Sequence, residues 1–129
     1  MSRQIVKTDA APAAIGPYSQ GVIVTGGRTL YSSGQIALDP ETMQMVGDGD
    51  VEAEAEQVMK NVGAVLEAAG MDFSNVVRAT IFLSDMANFS KVNAVYEKRF
   101  ESDPPARACV QAAALPKGAL VEIDVVAVG

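Results

Sequence analysis

Residues 119–128, ALVEIDVVAV, limit the fold more than any other stretch of this chain. Read as a strand with period-two alternation, Val121, Ile123, Val125 and Ala127 point one way. Glu122, Asp124, Val126 and Val128 point the other way. The first side is wholly apolar and must lie against a core. The second is half apolar, too apolar to be left in water. Two amphipathic helix patterns lie upstream, and two helices cover only one sheet face. The uncovered face therefore predicts self-association, for which closed cyclic symmetry is the common solution.

The first helix pattern begins after the turn-rich run ALDPETMQMVGDGD. Val51, Ala55, Val58, Val62, Val65, Leu66 and Ala69 follow a three-to-four-residue rhythm. Asp50 suits the N-cap, Glu52, Glu54 and Glu56 suit the positive end of the helix dipole, and Gly70 suits the stop. The second pattern, NFSKVNAVYEKRF, places Phe89, Val92, Tyr96 and Phe100 on one stripe. Between them, NVVRATIFLSD reads as a strand with Val77, Ala79, Ile81 and Leu83 on one side. GVIVTGGRTLYSSGQI reads as a hairpin turning at Gly26-Gly27. A strand over 107–113 follows the Pro104-Pro105 break. The order β-β-α-β-α-β-β predicts one α+β domain over residues 1–129, with both helices on one face of a mixed sheet.

Composition narrows the chemistry. The 129 residues are enough for one domain with a real core, and 49% hydrophobic with 20% charged residues argues against disorder. No apolar run reaches membrane-spanning length, and the N-terminus lacks the apolar core of a secretory signal. A soluble, cytoplasmic protein is expected. Net charge is −6, and Lys and Arg are scattered, so nucleic acid is not an expected partner. One cysteine excludes an intramolecular disulfide and a thiolate metal cluster. Histidine is absent, which removes Ser-His and Cys-His pairs and His-based zinc sites. Asp48 and Asp50 lack the spacing of a calcium loop, and there is no phosphate loop or dinucleotide fingerprint. No metal or cofactor is expected.

What remains is a set of carboxylates, arginines and tyrosines. Arg107 stands at the mouth of a strand, sharing parity with Cys109, as Glu122 shares parity with Asp124. If those two strands pair, a guanidinium and a carboxylate could face one cavity. They then form either a structural ion pair or exposed charges of little consequence, or a site. In a site, Arg107 would grip a substrate carboxylate through its fork while Glu122 orients or deprotonates water. Cys109 reads as a small buried hydrophobe, with no histidine to activate it. Tyr18, after Gly16-Pro17, is either a core ring or a pocket wall.

The run PARACVQAAALPKGALVEI resembles the C-terminal signature of the reactive-intermediate (enamine/imine) deaminase family, also described as L-PSP endoribonuclease-like. AIGPYSQG, SSGQI, LEAAG and FSKVNAVYEKRF resemble further family segments in the same order, so the likeness spans the chain. The resemblance implies a chorismate-mutase-like α+β fold assembled as a homotrimer, with clefts between neighbouring subunits. It implies hydrolysis of 2-imino or 2-enamino acids to 2-oxo acids and ammonia, with no cofactor. Arg107 matches the carboxylate-gripping arginine and Glu122 the water-positioning glutamate. Tyr18 and Asn93 match pocket residues, and Gly34 and Cys109 match positions whose backbone groups border the site. The alternatives are a ribonuclease or translation inhibitor, and a non-catalytic 2-oxo-acid-binding or chaperone-like trimer.

Overall fold

The computed structural model describes residues 2–129. Its elements are β1 (Ser2–Val6), β2 (Gly21–Thr25), β3 (Thr29–Tyr31), α1 (Val51–Ala68), β4 (Val76–Leu83), α2 (Phe89–Glu97), β5 (Ala106–Gln111) and β6 (Val121–Val128). Four strands form a sheet in the order β3-β6-β4-β5, in which only the β4–β5 pair is parallel. A parallel neighbour needs a crossover, and α2 supplies it between β4 and β5. The mixed α+β sheet with both helices on one face stands as expected.

Helix α1 forms for the reasons its sequence gives. The Asp50 carboxylate accepts from the Glu52 N–H at 2.9 Å and the Ala53 N–H at 3.4 Å, satisfying two amides that the helix itself leaves free. Gly70 ends it in the left-handed region at φ 73°. Its buried stripe of Ala55, Val58, Val62 and Leu66 packs over β6 and beside α2. Across the layer lie Ala79, Ile81 and Leu83 of β4 and Val121, Ile123 and Val125 of β6. Burying one such Leu or Ile contributes about 1.5–3 kcal/mol.

The structure corrects several expectations. Strand β1 had no place in the sequence reading; it pairs antiparallel with β2 as a separate two-stranded ribbon. The expected hairpin therefore does not form. Gly26 and Gly27 do turn the chain at positive φ, but β2 pairs with β1 while β3 pairs with β6. The strand expected over 107–113 ends at Gln111. In β4 a bulge between Val76 and Arg78 shifts the alternation, so Val76 is buried and Val77 is only half-buried. Phe100 lies beyond the end of α2, where its ring meets Phe73 edge-on at 5.7 Å and Tyr96 at 4.7 Å.

The sheet's second face carries no helix. Tyr31 is 76% exposed and Val110 46%, with half-buried Phe82 and Val126 in neighbouring rows. Charged Arg78, Glu122 and Asp124 share that face by register. Among the described residues, no helix is long and apolar enough to cross a membrane.

Candidate active site

Arg107 is delivered by a stapled loop. Pro104 and Pro105 cannot continue a helix, and their carbonyls are held by buried Ser19. The Ser19 N–H donates to the Pro105 carbonyl at 3.1 Å, and its hydroxyl donates to the Pro104 carbonyl. The chain then enters β5, where Arg107 lies opposite Ala79 and Cys109 opposite Ile81. Both partners are core residues, so Arg107 and Cys109 face the helix side.

There the guanidinium is boxed. Its Nη1 donates to Asn93 Oδ1 at 2.6 Å. Its Cζ lies 5.2 Å from the ring centre of Tyr96, 5.6 Å from that of Tyr18 and 5.7 Å from that of Phe89. Such ring faces stabilise a cation by about 0.5–2 kcal/mol each. No carboxylate joins them: among the described residues the ion pairs are those of Lys98 and Arg99 with Glu56. A half-buried cation held by a neutral amide and aromatic faces is suited to receive an anion.

The helix stripe explains three of these contacts. Phe89, Asn93 and Tyr96 stand at i, i+4 and i+7, one face of α2, turned toward β5 by the crossover. The sequence pattern places Phe89 and Tyr96 on one helical stripe and gives them no part in a site. Their shared stripe with Asn93 was the available signal for the box; the role of Ser19 had none. Tyr18 is set by a tight turn in which its N–H donates to the Gly16 carbonyl at 2.8 Å. Its hydroxyl accepts from the Ile15 N–H at 3.3 Å, leaving the hydroxyl proton free to donate. Burial pushes the Cys109 thiol above its ordinary pKa, only partly opposed by Arg107, so it is not a ready thiolate. Burial likewise raises the Tyr96 hydroxyl, which has no hydrogen-bond partner.

Glu122 lies elsewhere. β5 and β6 do not pair, because β4 runs between them, and the single cavity expected from their pairing is absent. Glu122 is opposite Phe82, one step out of phase with the buried Ile81–Ile123 pair, and leaves the sheet on the face away from the helices. Arg107 and Glu122 are thus on opposite faces of one chain. Gly34 lies against Glu122: a Cβ there would stand 2.8 Å from the carboxyl carbon, so glycine lets the Glu122 side chain sit where it does. The six anticipated residues form two clusters, Tyr18, Asn93, Arg107 and Cys109 on one side and Gly34 with Glu122 on the other. Among the described residues, no group of three or more His, Cys, Asp or Glu could hold a metal ion.

A two-helix, mixed-sheet α+β domain with a half-buried arginine at a sheet edge, outside the ion pairs of the described residues, defines the class. The sequence profile of the Endoribonuclease L-PSP family matches residues 8–129, and the chain belongs to that family. It is 58% identical over 128 residues to "Protein DfrA" of Myxococcus xanthus, covering 99% of this chain and 97% of that protein. It is 56% identical over 126 residues to a 2-iminobutanoate/2-iminopropanoate deaminase of Capra hircus, covering 98% of this chain and 90% of the relative. The crystal structure of RidA from the Antarctic bacterium Psychrobacter sp. PAMC 21119 superposes with a TM-score of 0.75 at 44% identity. That match covers 98% of this chain and 99% of RidA.

Proposed function

We propose that this protein hydrolyses small 2-imino and 2-enamino acids, of the 2-iminobutanoate, 2-iminopropanoate and 2-aminoacrylate type, to 2-oxo acids and ammonia. The observation that carries this reading is Arg107: a half-buried guanidinium with an aromatic box, a neutral amide and no carboxylate partner among the described residues. A substrate carboxylate completes it through two parallel N–H···O bonds, a charge-assisted contact of about 1.5–3 kcal/mol. The names of deaminase relatives at 52–56% identity support the same chemistry.

The chemistry asks little of the protein. An enamine takes up a proton at C3 and loses one from nitrogen to become the imine, and an imine carbon is already electrophilic. Water adds to it, a proton passes from that water to the nitrogen, and the carbinolamine collapses to a ketone and ammonia. Fixing the carboxylate on Arg107 beside a positioned water supplies orientation, and the Glu122 carboxylate can relay the protons. Because the two side chains leave opposite faces of one sheet, the reading requires assembly: Arg107 of one subunit meets Glu122 of the partner subunit in a cleft between neighbours. The apolar rows around Tyr31, Phe82, Val110 and Val126 support self-association through the uncovered face, and the family resemblance implies that the assembly is a homotrimer.

The test is ammonia release from 2-iminobutanoate generated in place by a threonine dehydratase. Acceleration over buffer that disappears in Arg107→Ala is the expected result. Absence of acceleration in the wild type defeats the reading, and 2-oxo-acid binding without turnover establishes a non-catalytic trimer instead.

A further inference from the structure

Glu54 is a carboxylate that the proposed reaction leaves unused, yet it is buried. On a helix face otherwise made of Val51, Ala55, Val58 and Val62, it is 4% exposed. No cation neutralises it, since the ion pairs among the described residues all involve Glu56. Its Oε1 accepts from the Leu120 N–H at 3.0 Å. The chain makes room for it. Gly47, at φ 102°, comes so close that a Cβ would stand 2.8 Å from the Glu54 Cγ. An apolar side chain would fill this place without the desolvation that pushes the Glu54 pKa up.

The Leu120 amide explains why a carboxylate is there. The β4–β6 ladder ends at the pair Leu83–Val121, and the Ser84 N–H donates to the Leu120 carbonyl at 3.1 Å just beyond it. The Leu120 N–H has no strand partner, and Glu54 supplies the missing acceptor. This bond sits at Leu120, immediately before β6 begins and two residues before Glu122. Register matters acutely at that point. A slip of one residue exchanges the faces of Glu122 and Ile123, driving the carboxylate into the core and the isoleucine out.

We propose that Glu54 is a positioning residue for Glu122, acting as a register lock: its carboxylate oxygen accepts the Leu120 N–H and holds β6 in the phase that presents Glu122 on the outer face. The inference rests on the reading of Glu122 as the group that handles water. It requires an acceptor oxygen at that reach, not a negative charge.

The experiment compares Glu54→Gln, which keeps an acceptor at the same reach, with Glu54→Leu, which keeps the bulk without the acceptor, and Glu54→Asp, which withdraws the acceptor by one methylene. In the dehydratase-coupled assay, Leu and Asp should lower kcat by about tenfold or more with KM within about threefold, because the carboxylate grip lies on another strand. Gln should stay within about threefold of wild type in both. If Leu does not yield folded protein, Asp provides the same comparison. Folded Leu or Asp variants with wild-type kcat overturn the proposal, as do variants that change KM alone, or a Gln variant as poor as Leu. Amide exchange at Leu120, Val121 and Glu122 reads the lock without reference to turnover. It should quicken by about tenfold or more in Leu and Asp but not in Gln. Faster exchange in an otherwise inactive wild-type background sinks the function and sustains the lock; unchanged exchange sinks the lock even in an active enzyme.

Discussion

Replacing Gly34 by alanine separates stability from activity more sharply than any other single change here. The added Cβ would lie 2.8 Å from the Glu122 carboxyl carbon and 3.1 Å from its Cγ, against 3.4–4 Å for ordinary contact. The carboxylate oxygen Oε2 would be closer still, so the carboxylate must retreat by roughly 1 Å or leave its rotamer, which costs about 0.5–1.5 kcal/mol. Alanine accepts the backbone, since Gly34 is not in the left-handed region, and the site is exposed, so the fold has room to adjust. The global penalty should stay near 1 kcal/mol, about 4 °C of melting temperature for a chain of this size. Activity is more demanding: a misplacement near 1 Å lowers a rate by about 100-fold. Calorimetry alongside the coupled ammonia assay should give a nearly unchanged transition and kcat reduced by about 10- to 100-fold. Wild-type kcat would refute the view that the position of Glu122 matters. A collapse in melting temperature would refute the view that the contact is local.

Arg107→Lys should raise KM by about tenfold or more in steady-state assays because the two-pronged contact is lost, and Arg107→Ala should abolish acceleration. Leu66→Ala, at a fully buried position, should lower stability in urea titrations by about 2–5 kcal/mol. Burial raises the pKa of Glu54 above its ordinary value of 4.5, so the folded state holds that proton more tightly than the unfolded state. This contribution therefore favours folding less as pH rises through and above 4.5, and the melting temperature of Glu54→Gln relative to wild type should be higher at pH 7 than at pH 4. Tyr31→Glu, on the uncovered face, should shift sedimentation toward monomer and remove activity while the secondary structure measured by circular dichroism persists.

The elements that depend on local rules were readable from residues alone. Asp50, the three-to-four spacing of α1 and the stop at Gly70 announce that helix in a way tertiary context does not change. The alternation of β6 likewise revealed which side chains enter the core and that the other face wants a cover. Partner choice was another matter. Gly26 and Gly27 have the positive φ of a hairpin turn, yet long-range pairing sends the two flanking strands to different sheets. Nothing in a two-residue turn encodes that. The same gap explains β5 and β6: the parity of Arg107 and Glu122 was legible along each strand, but not the insertion of β4 between them, which decides the face each side chain takes. Residue identities at the site came through resemblance, whereas the ring of Phe89, Tyr96 and Tyr18 around the guanidinium required the crossover of α2 in three dimensions.

β5 is the outermost strand of its four-stranded sheet, so Arg107 stands at a border. A charge on an inner strand is fenced by its own chain on both flanks; one at the border can be roofed from alongside by another molecule. Under the proposed assembly, dilution itself becomes a control on the enzyme. Specific activity per chain should fall once the concentration drops below the point where neighbours part, with each isolated chain still folded and its guanidinium open to bulk water.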